Sequence, residues 1–92
     1  MKYLGVMEGV GQLKLGDSTV PGVNYLIDIF LVGSEKVALG AVWGDVTEHV
    51  DRARGALTLY LSDGEPLKVL VEKIQFVRGL TQVRSEGRIP GW

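Results

Sequence analysis

The sequence predicts an all-β fold, a small antiparallel barrel or sandwich of five to six strands with one short helix around residues 46–53. Apolar and polar residues alternate over short stretches rich in Val, Ile and Leu, which is the pattern of strands. Glycines and other turn-forming residues interrupt these stretches roughly every 8 to 15 positions. A chain of 92 residues has the size of one domain, so we expect residues 1–92 to form a single β domain.

The alternation defines six strand regions, at about 3–15, 23–32, 37–43, 57–61, 67–76 and 80–84. In the first region the apolar residues change parity, which predicts a β-bulge at Gly9 or Gly11. The second region is apolar on both faces, as in a central strand or in one whose outer face is covered. In the third region we expect the small residues Ala38 and Gly40 to lie against another backbone or a bulky neighbour, and Trp43 to lie in the core.

The predicted helix follows from a capping box and from its apolar spacing. Asp45 and Glu48 have the D-x-x-E spacing in which an N-cap side chain and an acid in the first turn each bind a backbone N–H. Val46 and Val50 then share one helical face, and Gly55 ends the run. We expect this helix to close an open end of the barrel.

The fourth and fifth strands are expected to form a hairpin with a three-residue loop, residues 62–64. A two-residue loop would place apolar residues of the two strands on opposite faces of the hairpin. A three-residue loop instead pairs Leu59 with Leu67 and Leu57 with Val69, and gives Gly64 the left-handed position of a bulge.

Composition narrows the classes of function. The net charge of −1 argues against a dedicated nucleic-acid protein, although residues 51–92 carry seven bases against five acids, a net of +2. The absence of cysteine excludes disulfides and thiolate chemistry. The N-terminus has no signal-peptide pattern, and Asp28 interrupts the longest apolar stretch, so a cytoplasmic protein without membrane contact is expected.

The sequence offers no catalytic motif and no cofactor site. His49 is the only histidine, and although acids lie nearby, Asp51 points to another side of the predicted helix. The serines lie in turn-like contexts, and the glycines of residues 5–11 lack the lysine and the strand–helix context of a phosphate loop. We therefore expect no enzyme activity, no metal site and no cofactor.

Aromatic residues and arginines of the C-terminal half are the best candidates for an interaction surface. Trp92 is expected to dock onto its own barrel or onto a second subunit, and Tyr60 to be partly exposed. The favoured hypothesis is a non-catalytic barrel that binds a protein partner or itself, with a homo-oligomer expected. The alternative is an oligonucleotide-binding-like or SH3-like barrel that binds single-stranded nucleic acid. The predicted surface comprises Tyr60, Trp92, Arg52, Arg54, Arg78, Arg84 and Arg88.

Overall fold

The computed structural model describes residues 1–46, 50 and 56–92. These residues form a closed antiparallel barrel of six strands, which confirms the predicted all-β class. The strands are β1 (Lys2–Leu15), β2 (Ser18–Val32), β3 (Glu35–Trp43), β4 (Ala56–Tyr60), β5 (Pro66–Gln75) and β6 (Leu80–Ser85).

The barrel consists of two three-stranded meanders. The first contains β1, β2 and β3, and the second contains β4, β5 and β6. The first meander meets the second at two seams, β1 with β4 and β3 with β6, and every ladder is antiparallel. The β1–β4 seam is short, because only Gln12, Leu13 and Lys14 of β1 pair with β4.

The core is the inward-facing side of all six strands. Alternate residues of each strand point into the barrel, as the period of two requires. Leu13, Ile27, Ile29, Leu59 and Leu67 are among the largest side chains that are fully buried there.

The phase change predicted within β1 does not occur where it was expected. The ladder between β1 and β2 is regular from Gly5 to Gly11, and its irregularities lie on either side of that segment. Beyond Gly11 the extra residue lies in β2, at Pro21–Gly22, where Gly22 has a φ of 66°. The prediction of a bulge in β1 at Gly9 or Gly11 was wrong because it assumed that Val6 and Val10 face the core, whereas their side chains are 46% and 54% exposed.

The hairpin of β4 and β5 has the predicted register and loop. Leu59 pairs with Leu67 and Leu57 pairs with Val69. The Leu61 N–H donates to the Glu65 carbonyl at 2.9 Å, and Gly64 has a φ of 88°, in the left-handed region. The loop chemistry visible in the sequence therefore determines this register.

The predicted helix around residues 46–53 falls mostly outside the described residues. Val46 and Val50 are both described and buried, and the Val50 N–H donates to the Val46 carbonyl at 2.9 Å, an i to i+4 bond. The remaining helix positions, among them Glu48 and His49, lie outside the described part of the chain, as does Gly55.

Candidate protein interface

The outer surface of the barrel carries an apolar face across four neighbouring strands. β1, β2, β3 and β6 lie side by side, and the side chains that point away from the core alternate with those that enter it. On most single-layer sheets these outward positions are polar. Here the outward positions include the following residues, which we call the outer apolar face: Val6, Val10, Leu26, Phe30, Leu39, Trp43 and Leu80.

The strand registers bring the members of this face close together. Leu26 of β2 pairs with Ala41 of β3, and Ala41 pairs with Gln82 of β6. One row further along, Trp43 lies opposite Leu80. Side chains directly opposite one another on neighbouring strands are in contact distance. The apolar residues of β2, β3 and β6 therefore lie next to one another, while Val6 and Val10 of β1 lie opposite Asp28 and Asn24.

A shallow groove follows β3 through the middle of this face. Leu39 and the short side chain of Ala41 line it on β3. Leu26 and Phe30 of β2 line one side. Polar side chains surround these apolar residues: Asp28, Glu72, Gln75, Arg78 and Gln82.

A polar contact joins Asp28 to the aromatic end of the face. The Tyr3 hydroxyl donates to Asp28 Oδ1 at 3.3 Å. The Tyr3 ring also lies edge-on to Phe30, with ring centroids 5.6 Å apart and planes at 66°, an arrangement that aromatic quadrupoles favour. Desolvation raises the pKa of the Tyr3 hydroxyl above its ordinary value, and the charge of Asp28 and the hydrogen bond to it add to the rise.

The opposite side of the face carries a basic residue in an ion pair. Arg84 Nε lies 3.1 Å from Glu72 Oε1, and both side chains are about half exposed, at 52% and 49%. Exposed pairs of this kind contribute only about 0 to 1 kcal/mol to stability. Arg84 therefore loses little if it exchanges Glu72 for another carboxylate.

The C-terminal residues dock back onto the barrel. Ile89 is buried in the core, and the Trp92 N–H donates to the Ile89 carbonyl at 3.1 Å. The Trp92 ring lies over Gly5, where an added methyl carbon would be 2.5 Å from the ring. The Lys36 ammonium group donates to the Trp92 carbonyl oxygen. Trp92 therefore packs against its own chain, one of the two placements that the sequence allowed.

The structure distributes the predicted interaction residues over several places. Arg78 borders the groove on β3, and Arg84 lies on the outer surface of β6. Arg88 and Trp92 share a cleft beside the turn between β2 and β3. Tyr60 is half-buried at the β1–β4 seam. Arg52 and Arg54 lie outside the described residues.

The prediction that Trp43 lies in the core was wrong. Trp43 points outward from β3 and is 36% exposed. The reason is the alternation of β3, in which Ala38, Gly40 and the fully buried Val42 face inward and Trp43 has the opposite parity. At Gly40 a methyl carbon would lie 2.6 Å from the Ile27 Cα, so this inward position excludes a side chain.

Sequence reasoning did not name the residues of the outer apolar face as a site, although it contained a signal for them. Apolar residues on both faces of β2 indicated a covered outer face. What could not be obtained from the sequence was which strands lie beside β2, since Leu39 and Leu80 join the patch only through the pairings of β3 with β2 and with β6.

Other kinds of site find no support in the part of the chain that is described. Within residues 1–46, 50 and 56–92, no three His, Asp or Glu side chains lie together in a way that could hold a metal ion. Among the same residues, no helix has the length and apolar character needed to cross a membrane.

The fold and the site define a class: a six-stranded antiparallel barrel with an exposed apolar outer face. Comparison of the chain with models of protein families, with curated proteins and with solved structures finds no match in any of the three. A proposal for its function therefore depends on its own residues.

Proposed function

We propose that this protein is a non-catalytic interaction module that associates with a second copy of itself through the outer apolar face. The observation that carries the proposal is the set of outward-facing apolar side chains on four adjacent strands, centred on the exposed Leu26, Leu39 and Trp43 of β2 and β3. A large exposed apolar patch rimmed by polar residues is typical of an association surface.

The size of the face suits a transient dimer. Four strands span about 19 Å, and a stretch of about eight residues spans about 26 Å, which gives about 500 Å² for each copy. Two copies would bury about 1,000 Å² in total, the size of weak and transient complexes. We therefore expect association in the micromolar range.

The shape of the outer apolar face allows two copies to fit together, large side chain against small. Leu26 of β2 is 42% exposed and lines the groove opposite the short side chain of Ala41, with which it pairs across the ladder. A two-fold axis between β2 and β3 places Leu26 of each copy over Ala41 of the other, so that the larger side chain fills the space left by the smaller one. Two-fold dimers use the same patch on both copies, which this arrangement satisfies.

The charges at the sides of the groove agree with this arrangement. Asp28 and Arg84 lie on either side of Leu39, in the same row of the ladders. When β2 of one copy lies over β3 of the other, Asp28 comes close to Arg84 of the second copy. Opposite charges at matching places fix the register of an interface more than they increase its affinity.

The described arginines support a protein partner more than a nucleic acid. Arg84 is paired with Glu72, Arg78 borders a groove that also contains Asp28, and Arg88 shares a cleft with Glu86. A single strand of nucleic acid would need a continuous basic track with stacking aromatics. Binding to single strands at low salt, with affinity that falls steeply as salt rises, would favour the alternative.

The test is sedimentation equilibrium from micromolar to millimolar protein, on the wild type and on Leu26→Lys. Position 26 pairs with Glu8, so the new lysine gains an opposite charge within its own barrel and the fold is retained. We expect the wild type to dimerise and Leu26→Lys to remain monomeric.

Val77→Lys is the matched control, because Val77 is fully exposed in the turn between β5 and β6 and is not part of the face. It should dimerise like the wild type. A wild type that stays monomeric over the whole range, or a loss of dimer that is equal in both variants, would contradict the proposal.

A further inference from the structure

In the described residues, the N-terminal part of β1 has an edge without a strand neighbour, with Trp92 packed on Gly5 at one end and the Tyr60 carbonyl beside Gly11 at the other. β1 pairs with β2 along nearly its whole length but with β4 only from Gln12 to Lys14. In the described part of the chain, residues 2–11 have a strand neighbour on one side only, and no other backbone hydrogen bond is seen from this segment. Since alternate residues of an antiparallel strand direct N–H and C=O groups away from their partner, this edge presents unpaired donors and acceptors.

We propose that the edge from Gly5 to Gly11 binds an extended segment of another protein, which adds as a strand beside β1. The expected segment has a basic residue at its centre and an apolar residue two positions to either side. Val6 and Val10 belong to both this site and the outer apolar face, but strand addition uses the backbone edge of β1 and does not depend on the proposed dimer.

The length of the site follows from the ladder. β1 is regular between its two irregularities, one between Tyr3 and Gly5 and one between Gly11 and Leu13. Only a regular strand presents its edge groups at the constant spacing that an added strand needs. The regular stretch is Gly5–Gly11, and Glu8 lies at its centre.

The outward side chains of this stretch determine the chemistry of the partner. Val6 and Val10 are about half exposed, at 46% and 54%, and Glu8 is exposed between them. Residues directly opposite each other on paired strands interact, and opposite charges stabilise the pair. A lysine or arginine opposite Glu8, with apolar residues opposite Val6 and Val10, therefore complements the edge.

Glu8 also argues against β1 of a second copy as the added strand. Two copies of Gly5–Gly11 that pair in antiparallel fashion over their full length place Val6 opposite Val10 and Glu8 opposite Glu8. Like charges directly opposite each other destabilise a strand pair, and a charged residue is a common device against edge-to-edge pairing. Glu8 thus disfavours pairing with β1 of a second copy and favours a strand that carries a basic residue.

The test uses two fluorescently labelled synthetic peptides, Thr-Val-Thr-Lys-Thr-Val-Thr and the same peptide with Glu at its centre. Each is titrated with the full chain and with Glu8→Lys, and binding is followed by anisotropy. We expect the wild type to prefer the Lys peptide by about tenfold. Glu8→Lys should reverse the preference, because the fold keeps an exposed charge at the same place.

A third peptide, the Lys peptide with N-methyl groups at alternate residues, removes the backbone donors on one edge while keeping the side chains. It should bind more weakly than the parent if strand addition is the mode of binding. Equal binding of the methylated and parent peptides, no saturable binding of either unmethylated peptide, or an unchanged preference in Glu8→Lys would overturn the proposal. None of these outcomes bears on dimerisation of the outer apolar face, which sedimentation measures separately.

Discussion

Tyr3 and Asp28 place polar groups beside the outer apolar face, where they contact water and each other. Tyr3 packs its ring edge-on to Phe30 and donates its hydroxyl to Asp28. A tyrosine presents an apolar body and a polar tip, so it can cover apolar surface while its hydroxyl stays hydrated or bonded. The Asp28 carboxylate is therefore held in place beside the groove, where the proposed dimer uses it.

The pKa of Tyr3 gives a test at the same scale. Desolvation, followed by the charge of Asp28 and the hydrogen bond to it, raises that pKa above the ordinary tyrosine value of 10.0. The folded state then holds the phenolic proton to higher pH than the unfolded state does. The contribution of Tyr3 to stability is complete below pH 10 and is lost as the pH rises through the folded pKa.

Subtracting the ultraviolet absorbance titration of Tyr3→Phe from that of the wild type isolates the Tyr3 phenolate. We expect its midpoint above the ordinary tyrosine value. Asp28→Asn should lower that midpoint only in part, because desolvation remains. A midpoint at or below the ordinary value in the wild type would show that the contact with Asp28 does not persist in solution.

At the scale of secondary-structure elements, the close approach of β2 and β3 excludes a side chain at one inward position of β3. Gly40 pairs with Ile27, and there is no room between the strands for a side chain at position 40. The inward positions of β3 are Ala38, Gly40 and Val42, while Leu39 and Trp43 face outward.

Gly40→Ala should therefore destabilise the barrel by about 1 to 3 kcal/mol or more, because the methyl group must push backbone atoms apart. Urea unfolding followed by circular dichroism measures this loss. Gly33→Asn is the control: Gly33 has a φ of 64° with open space around it, and asparagine tolerates this conformation better than most residues. A Gly40→Ala variant as stable as the wild type would contradict the close approach of β2 and β3 at this position.

Elements whose signals are local were predicted well from the sequence. The loop at residues 62–64 and the register of β4 with β5 depend on turn chemistry and on alternation within one hairpin, and the structure contains both. The faces of β1 and β3 were assigned less well. Val6, Val10 and Trp43 are apolar, and alternation alone cannot distinguish an apolar outer face from an apolar core.

At the scale of the whole molecule, closure of the barrel produces both proposed binding surfaces. Six strands remove most of the edges, but the short seam between β1 and β4 leaves part of β1 unpaired. The side-by-side order of β1, β2, β3 and β6 assembles the outer apolar face from residues that are distant in the chain. Neither feature is visible in the sequence, because both depend on which strands become neighbours.

The packing of the C-terminal residues also depends on the whole barrel. Ile89 enters the core and Trp92 covers Gly5, so the residues after β6 are part of the barrel and not a free segment. The sequence indicated docking of Trp92 but not its place, since contact with Gly5 requires that β1 and the C-terminus meet.

The central claim is that two copies meet ridge to groove, with Leu26 of each over Ala41 of the other. The measurement that tests it most directly is the dimer dissociation constant of Ala41→Leu. The variant adds apolar surface but fills the groove, so we expect the dissociation constant to rise by about tenfold. The double variant Leu26→Ala, Ala41→Leu exchanges ridge and groove and should recover much of the affinity. If Ala41→Leu dimerises as tightly as the wild type or more tightly, association depends on apolar area alone and the ridge-to-groove arrangement is wrong.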